Sequence, residues 1–379
     1  DRAGQLAYFA LIMKARSKNR RIFREKIELN LCSIQESNGF PKEAIDLLVS
    51  RKDTELEKVV HRQNVEYLIE VFKDAKEYGS ILNVNNIDFE VIEKRIEEIK
   101  NREPIDLFEF QNREIILEKF PLLIKQAKIM SQKYEIVCTN PPYMGRKGMN
   151  DKLIGYLDNE YNKSKSDLFS VFIEKSIKMN TVNGFVSLIT MHSWMFIKSF
   201  EEFRQELLDN NVIYSVVHLG MEAFENIIGK VVQTAAFVLR KSRIEDYKSY
   251  NVRLVDFYDS RRYEKEEQFF NPNNRYFSVK QSDYKKITGS PLAYWASENI
   301  FKLFENKPIS AFAETKKGMF TGNNDLFLKY WYEVSQDKFN MNYKFYNKGG
   351  GYRKWYGNIE NVIFWANGGH KVKNYNGSG

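Results

Sequence analysis

The residues best suited to chemistry form the run Asn140-Pro141-Pro142-Tyr143, here called the NPPY turn, directly after a short apolar segment. The exocyclic N6 nitrogen of adenine is a poor nucleophile because its lone pair is delocalised into the ring. If two acceptors hold its two hydrogens, the nitrogen moves toward tetrahedral geometry and its lone pair can attack a methyl sulfonium. The side-chain oxygen of Asn140 and the backbone carbonyl of Pro141 are suitable acceptors.

The other residues of the NPPY turn suit the same chemistry. Two prolines fix φ and remove backbone donors, so the Pro141 carbonyl is held rigidly. Ligands of α/β sheets bind beyond the carboxyl ends of the strands, and Tyr143 offers a flat face to a base swung out of a duplex. The alternative is that the prolines only end a strand and Tyr143 packs locally. A predicted strand before the turn and a predicted helix after it favour the catalytic interpretation.

From residue 134 onward, strands and helices alternate. Residues 135–139 predict a buried strand that leads into the NPPY turn, and the β-branched runs 212–219 and 232–239 predict two further strands. Another strand is predicted at 185–190, and helices at 167–179 and at a segment ending near residue 210. This alternation predicts an α/β sheet with helices on its faces, preceded by a mainly helical region over residues 1–130.

Composition limits the class of protein. Hydrophobic residues make up 43% of the chain and the formal net charge is +8, which is typical of a globular protein and favours a polyanionic partner. Two cysteines are too few for a disulfide framework or a cysteine zinc cluster, and four scattered histidines show no ligand spacing, so we expect no bound metal. Without an apolar run of membrane-spanning length or a visible signal peptide, we expect a cytoplasmic location.

Longer segments extend the NPPY turn into a family pattern. They are NPPYMGRKGMN (140–150), DLF (167–169), NGFVSLITMHSWMF (183–196), HLG (218–220) and VVQTAAFVLR (231–240). Together they resemble the PglX adenine methyltransferases of BREX phage-defence systems, and the resemblance covers nearly the whole chain. It implies a Rossmann-like sheet that uses S-adenosylmethionine, with helices on both faces and truncated at its cofactor end. It further implies a catalytic domain at 1–245 and the start of a DNA target-recognition domain at 309–379. The segment 246–308 between them is polar, charged and tyrosine-rich without clear periodicity, which predicts a connector.

The resemblance also implies roles for individual residues. The NPPY turn matches the catalytic motif, and Phe224 matches an aromatic residue that stacks on the flipped adenine opposite Tyr143, although spacing alone would make it a core residue. Asp167 matches a segment beside the cofactor, Asp74 matches an acidic position near the cofactor adenine, and Asp1 follows directly on the ribose contact.

The region after residue 309 carries the expected contacts to double-stranded DNA. Basic and aromatic side chains beside glycines suit phosphate contact with stacking nearby, and they are Lys316, Lys317, Arg353, Lys354 and Trp355. For each residue, an exposed basic tip on a glycine hairpin is an equally good interpretation. From the family resemblance we also expect other proteins of the defence system as partners. We expect no association with a membrane.

One departure from the family concerns the cofactor. Related enzymes carry a glycine-rich loop ahead of the region matched here, whereas Gly145 and Gly148 follow the NPPY turn. We therefore expect the chain as given to bind S-adenosylmethionine poorly or not at all, and to be inactive alone. Three alternatives stay open: the methylating half of a combined restriction-modification enzyme, a protein-glutamine methyltransferase, and a non-catalytic DNA-binding scaffold with a vestigial fold.

Overall fold

The computed structural model describes residues 2–25, 27, 29–49, 53–224, 232–314 and 318–375. By their contacts the chain divides into two compact units, Asp1–Asn306 and Lys307–Gly379. Three residues predicted to bind ligands, Asp1, Lys316 and Lys317, lie outside the described residues. Among those described, no helix is both long enough and apolar enough to cross a membrane.

The first unit begins with a helical region, as predicted. Its helices are α1 Arg2–Lys18, α2 Lys42–Leu48, α3 Glu55–Val71, α4 Ala75–Tyr78, α5 Phe89–Asn101 and α6 Leu107–Ser131. Side-chain caps define several starts: Thr54 forms a capping box with Glu57 at α3, and Asp88 accepts from two amides at α5. Helices α2, α3, α5 and α6 share one buried apolar cluster around residues such as Leu68 and Phe120.

A six-stranded mixed sheet follows. Its strands are β1 Tyr134–Thr139, β2 Asn180–Met191, β3 Val212–Gly220, β4 Thr234–Arg240, β5 Tyr250–Arg253 and β6 Arg275–Tyr276, in the order β1-β2-β4-β3-β5-β6. β1 pairs parallel with β2, β3 pairs parallel with β5, and β4 runs antiparallel to both β2 and β3. The strands β1, β2, β3 and β5 therefore end at the same edge of the sheet.

Helices lie on both faces of this sheet, as the α/β prediction requires. They are α7 Asp151–Glu160, α8 Leu168–Met179, α9 Glu201–Asn210, α10 Lys265–Phe270 and α11 Glu298–Leu303. Val216 of β3 belongs to the main core with Ile173 of α8 and Leu207 of α9. The next residue, Val217, points to the opposite face and packs in a smaller cluster with Phe269 of α10. The predicted α/β class is confirmed.

The first strand is more exposed than its sequence suggests. Residues 135–139 predict a buried strand, but β1 stands at the end of the strand order and Ile136 is 70% exposed. The reason is that β1 has a single hydrogen-bonded neighbour, β2, among the described strands. An apolar run shows that a strand can be buried, and it does not show where in the sheet the strand lies.

Most of the predicted connector, up to Asn306, belongs to the first unit. It supplies β5 and β6 to the sheet, and Tyr284, Leu292 and Tyr294 are each 1% exposed within the main core. Its sequence lacks periodicity because single large side chains, rather than one face of a regular element, make these contacts.

The second unit contains a small three-stranded sheet in the order β7-β9-β8. Its elements are α12 Asn324–Phe327, β7 Leu328–Tyr330, α13 Gln336–Asn342, β8 Tyr343–Tyr346, β9 Asn361–Phe364 and α14 Ala366–Lys373. Phe327, Leu328, Ile363 and Val372 form its buried cluster. Residues 347–360, here called the tip loop, join the antiparallel strands β8 and β9.

Candidate active site at the carboxyl edge of the sheet

The NPPY turn lies directly beyond the carboxyl end of β1. Asn140 is exposed, whereas Pro141 is buried. Among the described residues, no hydrogen bond engages the Asn140 side chain or the Pro141 carbonyl. Two adjacent acceptors are thus unused at the edge of the sheet where a ligand is expected.

Tyr143 is fixed by contacts to β2 and α8. Its hydroxyl donates to the Ile189 carbonyl at 3.3 Å, and its ring meets the Phe169 ring edge-on, with the centroids 6.3 Å apart. Burial raises the pKa of the Tyr143 hydroxyl, so the ring carries no charge at neutral pH. The aromatic residue predicted to stack on a base is therefore held in one orientation.

Asp167 connects the start of α8 to the chain after the NPPY turn. Its carboxylate accepts from the Met144 amide at 3.0 Å and from the Phe169 amide at 3.3 Å. The Leu168 amide donates to the Met144 carbonyl at 3.0 Å. Burial raises the pKa of Asp167, and the amide donors oppose that rise. The structure therefore shows Asp167 as an anchor of the turn, while its predicted contact with the cofactor stays a prediction.

Two histidines that the sequence did not single out meet at the same edge. His192, directly after β2, and His218, near the end of β3, approach to 2.7 Å between Nδ1 and Nε2. The other nitrogen of His218 lies 2.9 Å from the hydroxyl of the buried Tyr294. We call these three residues the His–His–Tyr chain. The available signal was that His192 lies just past one predicted strand and His218 lies near the end of another, but the strand order that joins them cannot be read from the sequence.

Phe224 lies just past the end of β3. The chain turns there at Gly220, whose φ of +70° favours glycine and where an added Cβ would lie 2.7 Å from Val255 Cα. Phe224 is half-buried, which leaves part of its ring accessible. Its position at the carboxyl edge is compatible with the predicted stacking role, which stays a prediction.

Asp74 is engaged by two side chains that are not part of the NPPY turn. It accepts hydrogen bonds from Lys152 of α7 at 2.9 Å and from the Asn38 side chain at 3.0 Å. The hydrogen bond from Lys152, followed by that from Asn38, lowers the pKa of the Asp74 carboxyl. Its predicted role beside the cofactor adenine stays a prediction.

The predicted DNA contacts in the second unit cluster on the tip loop. Arg353 and Lys354 are exposed, and Trp355 is 88% exposed. The Lys354 ammonium lies 5.5 Å from the centroid of the Trp355 ring, within cation–π range. Three cationic or aromatic side chains are thus presented together on one loop.

No group of three or more histidine, cysteine, aspartate or glutamate side chains that could hold a metal occurs in the part of the chain that the structure describes. His192 and His218 lie close together, and the third residue of that group is Tyr294, whose phenol is hydrogen-bonded to His218.

Comparison with known proteins adds a family. Residues 1–224 match the family described as Eco57I restriction-modification methylase. Over 395 aligned positions the chain is 35% identical to the adenine-specific methyltransferase PglX of Lacticaseibacillus casei (strain Zhang), covering 98% of this chain and 32% of that protein. The same identity and coverage hold for the adenine-specific methyltransferase BrxX of Escherichia coli O9:H4 (strain HS). The resemblance predicted from the motif segments is confirmed.

This chain spans about a third of the length of these two relatives, at 32% of each. Among solved structures, the methyltransferase subunit of a type I restriction-modification system from Streptococcus thermophilus matches with 16% identity and a TM-score of 0.28, over 39% of each chain. That likeness is too distant to bear on the site.

Proposed function

This chain belongs to the Eco57I restriction-modification methylase family, and from that premise we propose that it carries the methyl-acceptor site of a DNA adenine-N6 methyltransferase. The substrate is an adenine swung out of double-stranded DNA, and the methyl donor is S-adenosylmethionine. The reaction marks host DNA in the cytoplasm as part of phage defence. The catalytic unit corresponds to 1–245, followed by the segment 246–308 and a DNA-recognition region at 309–379.

One observation carries this proposal. The chain after the NPPY turn is clamped to α8 through Asp167, and Tyr143 is fixed on β2, yet the Asn140 side chain and the Pro141 carbonyl have no hydrogen-bond partner among the described residues. Asn140 is exposed, so its side-chain oxygen is accessible to a ligand, and the Pro141 carbonyl beside it is held by the proline ring. A rigid pair of unused acceptors next to an aromatic ring suits a ligand with a planar ring and an amino group.

The acceptors act on the amino nitrogen as follows. Asn140 Oδ1 and the Pro141 carbonyl each accept one N6 hydrogen, which draws the nitrogen out of conjugation and frees its lone pair. Tyr143 supports the base by ring contact, and Phe224 stacks on its other face. Holding the nitrogen in line with the methyl carbon accounts for most of the barrier reduction. The new N–C bond would form as the S–C bond of the sulfonium breaks, and the cationic amino group would then lose one proton to water, so a strong general base is unnecessary.

The described residues do not assemble a complete site for S-adenosylmethionine. Asp74 is occupied by Lys152 and Asn38, and one carboxylate oxygen of Asp167 is occupied by two backbone amides. Gly145 and Gly148 lie between β1 and α7, but their spacing does not match the glycine-rich pattern of a nucleotide-binding loop. The proposal therefore assigns the described residues to the methyl acceptor and gives them no step on the donor.

The test uses the complete protein with tritiated S-adenosylmethionine and host genomic DNA, comparing the wild type with Asn140→Ala. Removing one of two preorganised polar contacts to a reacting group costs at least about 100-fold in rate. We expect N6-methyladenine from the wild type and a loss of that size in Asn140→Ala, with DNA affinity unchanged. Asn101→Ala, on an exposed residue at the end of α5, is the matched control and should be fully active.

The outcomes separate the open alternatives. Methylation that persists in Asn140→Ala contradicts the role of the NPPY turn. Label on protein rather than on DNA indicates the glutamine methyltransferase. No label on either, even with other defence proteins added, indicates the scaffold. Cleavage of unmethylated DNA by the complete protein indicates a combined restriction-modification enzyme.

A further inference from the structure

The His–His–Tyr chain lies at the same carboxyl edge of the sheet as the NPPY turn. His192 comes directly after β2, three residues beyond Ile189, and Ile189 accepts the hydrogen bond of Tyr143. His218 sits near the end of β3, at the same edge of the sheet. Neither histidine is needed for the acceptor chemistry described above. Their close contact therefore calls for another explanation.

The direction of the hydrogen bonds follows from the burial of Tyr294. This residue is 1% exposed, and the hydrogen bond of its hydroxyl is to His218 Nδ1. A buried hydroxyl proton without an acceptor costs about 1–3 kcal/mol, so Tyr294 donates to His218 Nδ1. Neutral His218 then carries its proton on Nε2 and donates it to His192 Nδ1. His192 in turn carries its proton on Nε2.

Both histidines stay neutral in this arrangement. Burial lowers the pKa of His218 to about 3, and burial also lowers the pKa of His192. Protonation of His192 Nδ1 would place two N–H groups against each other across 2.7 Å. The chain thus offers one uncharged donor, His192 Nε2–H, whose partner is absent from the hydrogen bonds of the described residues.

The backbone around His192 is braced by a buried arginine. Arg204, 1% exposed, donates to the Trp194 carbonyl at 2.8 Å and to the Ile197 carbonyl at 3.1 Å. The same side chain donates to the carbonyls of Gly289 and Ser290, on the segment that leads to Tyr294. One guanidinium therefore fixes both ends of the His–His–Tyr chain.

The surroundings of His192 are aromatic. The Phe196 ring meets His192 edge-on at 5.5 Å and stacks on His218 at 5.7 Å, and Trp295, 44% exposed, lies 5.6 Å from Phe196. The nearby cation Arg253 is already paired with Asp256. A neutral donor among rings suits a neutral acceptor on a planar ring better than it suits a charged phosphate.

We propose that His192 Nε2–H donates a hydrogen bond to a ring nitrogen of the target adenine, and that His218 and Tyr294 are positioning residues that fix this proton outward. The inference rests on the proposed function and deepens it, because it names a base-reading contact separate from the two N6 acceptors. A base whose ring nitrogen at that place carries a hydrogen would face His192 donor to donor and be rejected.

The test combines changes in the protein and in the DNA. The complete protein is assayed on a duplex with its site, located beforehand from methylated host DNA, in which the target adenine is replaced in turn by 1-deaza-, 3-deaza- or 7-deazaadenine. Each analogue removes one ring acceptor and keeps the amino group. With the wild type, one analogue should lower kcat/KM by about tenfold, the loss expected for one such hydrogen bond.

His192→Phe should be about tenfold slower on the natural duplex and should show no further loss with that analogue. His192→Gln, which keeps an amide donor, should recover part of the loss, and His61→Phe, on the separate helical region, should behave as the wild type. Tyr294→Phe removes only the hydroxyl and so preserves packing. It should lower the rate severalfold and reduce the penalty of the same analogue, which a purely structural role would not do.

The outcomes separate the contact with the base from the methyltransferase function on which it rests. If the wild type methylates all three analogues as fast as adenine, or if the penalty persists undiminished in His192→Phe, the contact with a ring nitrogen is overturned while the methyltransferase assignment stands. An unchanged penalty in Tyr294→Phe overturns the positioning role. Asn140→Ala, assayed in the same experiment, tests the proposed function itself. Full activity of Asn140→Ala would remove the basis of both the contact with the base and the positioning role.

Discussion

The Asp167 carboxylate accepts a hydrogen bond from the Met144 amide at 3.0 Å, so the first residue before α8 holds the chain one position after the NPPY turn. β1, which leads into that turn, is hydrogen-bonded to a neighbouring strand on one side only among the strands that the structure describes. The rigidity that the two unused acceptors need therefore comes from the anchor after the turn as well as from the strand before it.

The first prediction concerns this anchor. Asp167→Ala removes the cap of α8 and the contact to Met144, so it should lower the free energy of unfolding by about 1–2 kcal/mol and reduce methylation more than the lost stability explains. Melting curves and rates of the complete protein measure both effects. Asp88→Ala removes a similar two-amide cap from α5 and should lose stability alone. Equal losses of activity in the two variants would contradict the anchoring role.

Asp167→Asn separates the anchor from a direct contact with the methyl donor. The amide keeps the oxygen that accepts from Met144, so an anchor alone predicts nearly wild-type kcat and KM. If the carboxylate also contacts S-adenosylmethionine, as the family resemblance implies, the KM for the donor should rise while kcat on saturating donor changes little. Steady-state kinetics at varied donor concentration distinguishes the two.

Phe224→Ala should weaken capture of the flipped base. Stacking of one base on an aromatic side chain contributes about 1–3 kcal/mol. The affinity for a duplex in which the target adenine is mismatched should therefore fall about tenfold or more. 2-Aminopurine at the target position reports flipping by its fluorescence. Phe270→Ala, on a ring 66% exposed at the end of α10, is the matched control. The stacking role fails if both variants flip the base as the wild type does.

The tip loop should contribute charge and stacking separately. Arg353→Gln with Lys354→Gln should reduce the slope of log affinity against log salt by about two, because each phosphate contact contributes about 0.9. Trp355→Ala should weaken binding at every salt concentration and leave the slope unchanged. Lys344→Gln, on β8, serves as the charge control. A salt slope unaffected by the double substitution would exclude phosphate contacts by this loop.

Stability should depend on pH through His218. Burial lowers its folded-state pKa to about 3, whereas an unfolded histidine titrates near 6.5. The stabilisation is complete above about pH 6.5 and is lost as the pH falls toward 3, by up to about 1.4 kcal/mol per pH unit. The melting temperature of the wild type should therefore fall more steeply between pH 7 and pH 5 than that of His218→Gln. Phe196→Leu, which disturbs the same cluster without removing a titratable group, should keep the wild-type slope.

The sequence was most informative about local features. A strand that enters Asn140 and the alternation of strands and helices both follow from residue patterns, and the structure has them where predicted. The anchor at Asp167 was predicted to lie near the NPPY turn only through the family resemblance. The contact with Met144 required the fold.

Features that depend on strand order could not be predicted. His192 and His218 are 26 residues apart and meet because β2 and β3 end at the same edge with β4 between them. Tyr294 comes from a segment without periodicity, where one side chain rather than a repeating face enters the core. The exposure of β1 has the same origin, since the pattern of a strand is the same at the centre and at the end of a sheet.

The exposed edge of β1 also has a consequence for association. A strand with an open row of N–H and C=O groups is a template for the addition of another strand, and charged side chains are the usual protection against it. Ile136 and Cys138 are exposed on β1 and carry no charge, and Glu135 is an exposed charged residue of the same strand. Wherever this edge meets solvent, copies of the chain should adhere through it and aggregate. Edge-to-edge pairing would then sequester the NPPY turn at the end of the same strand.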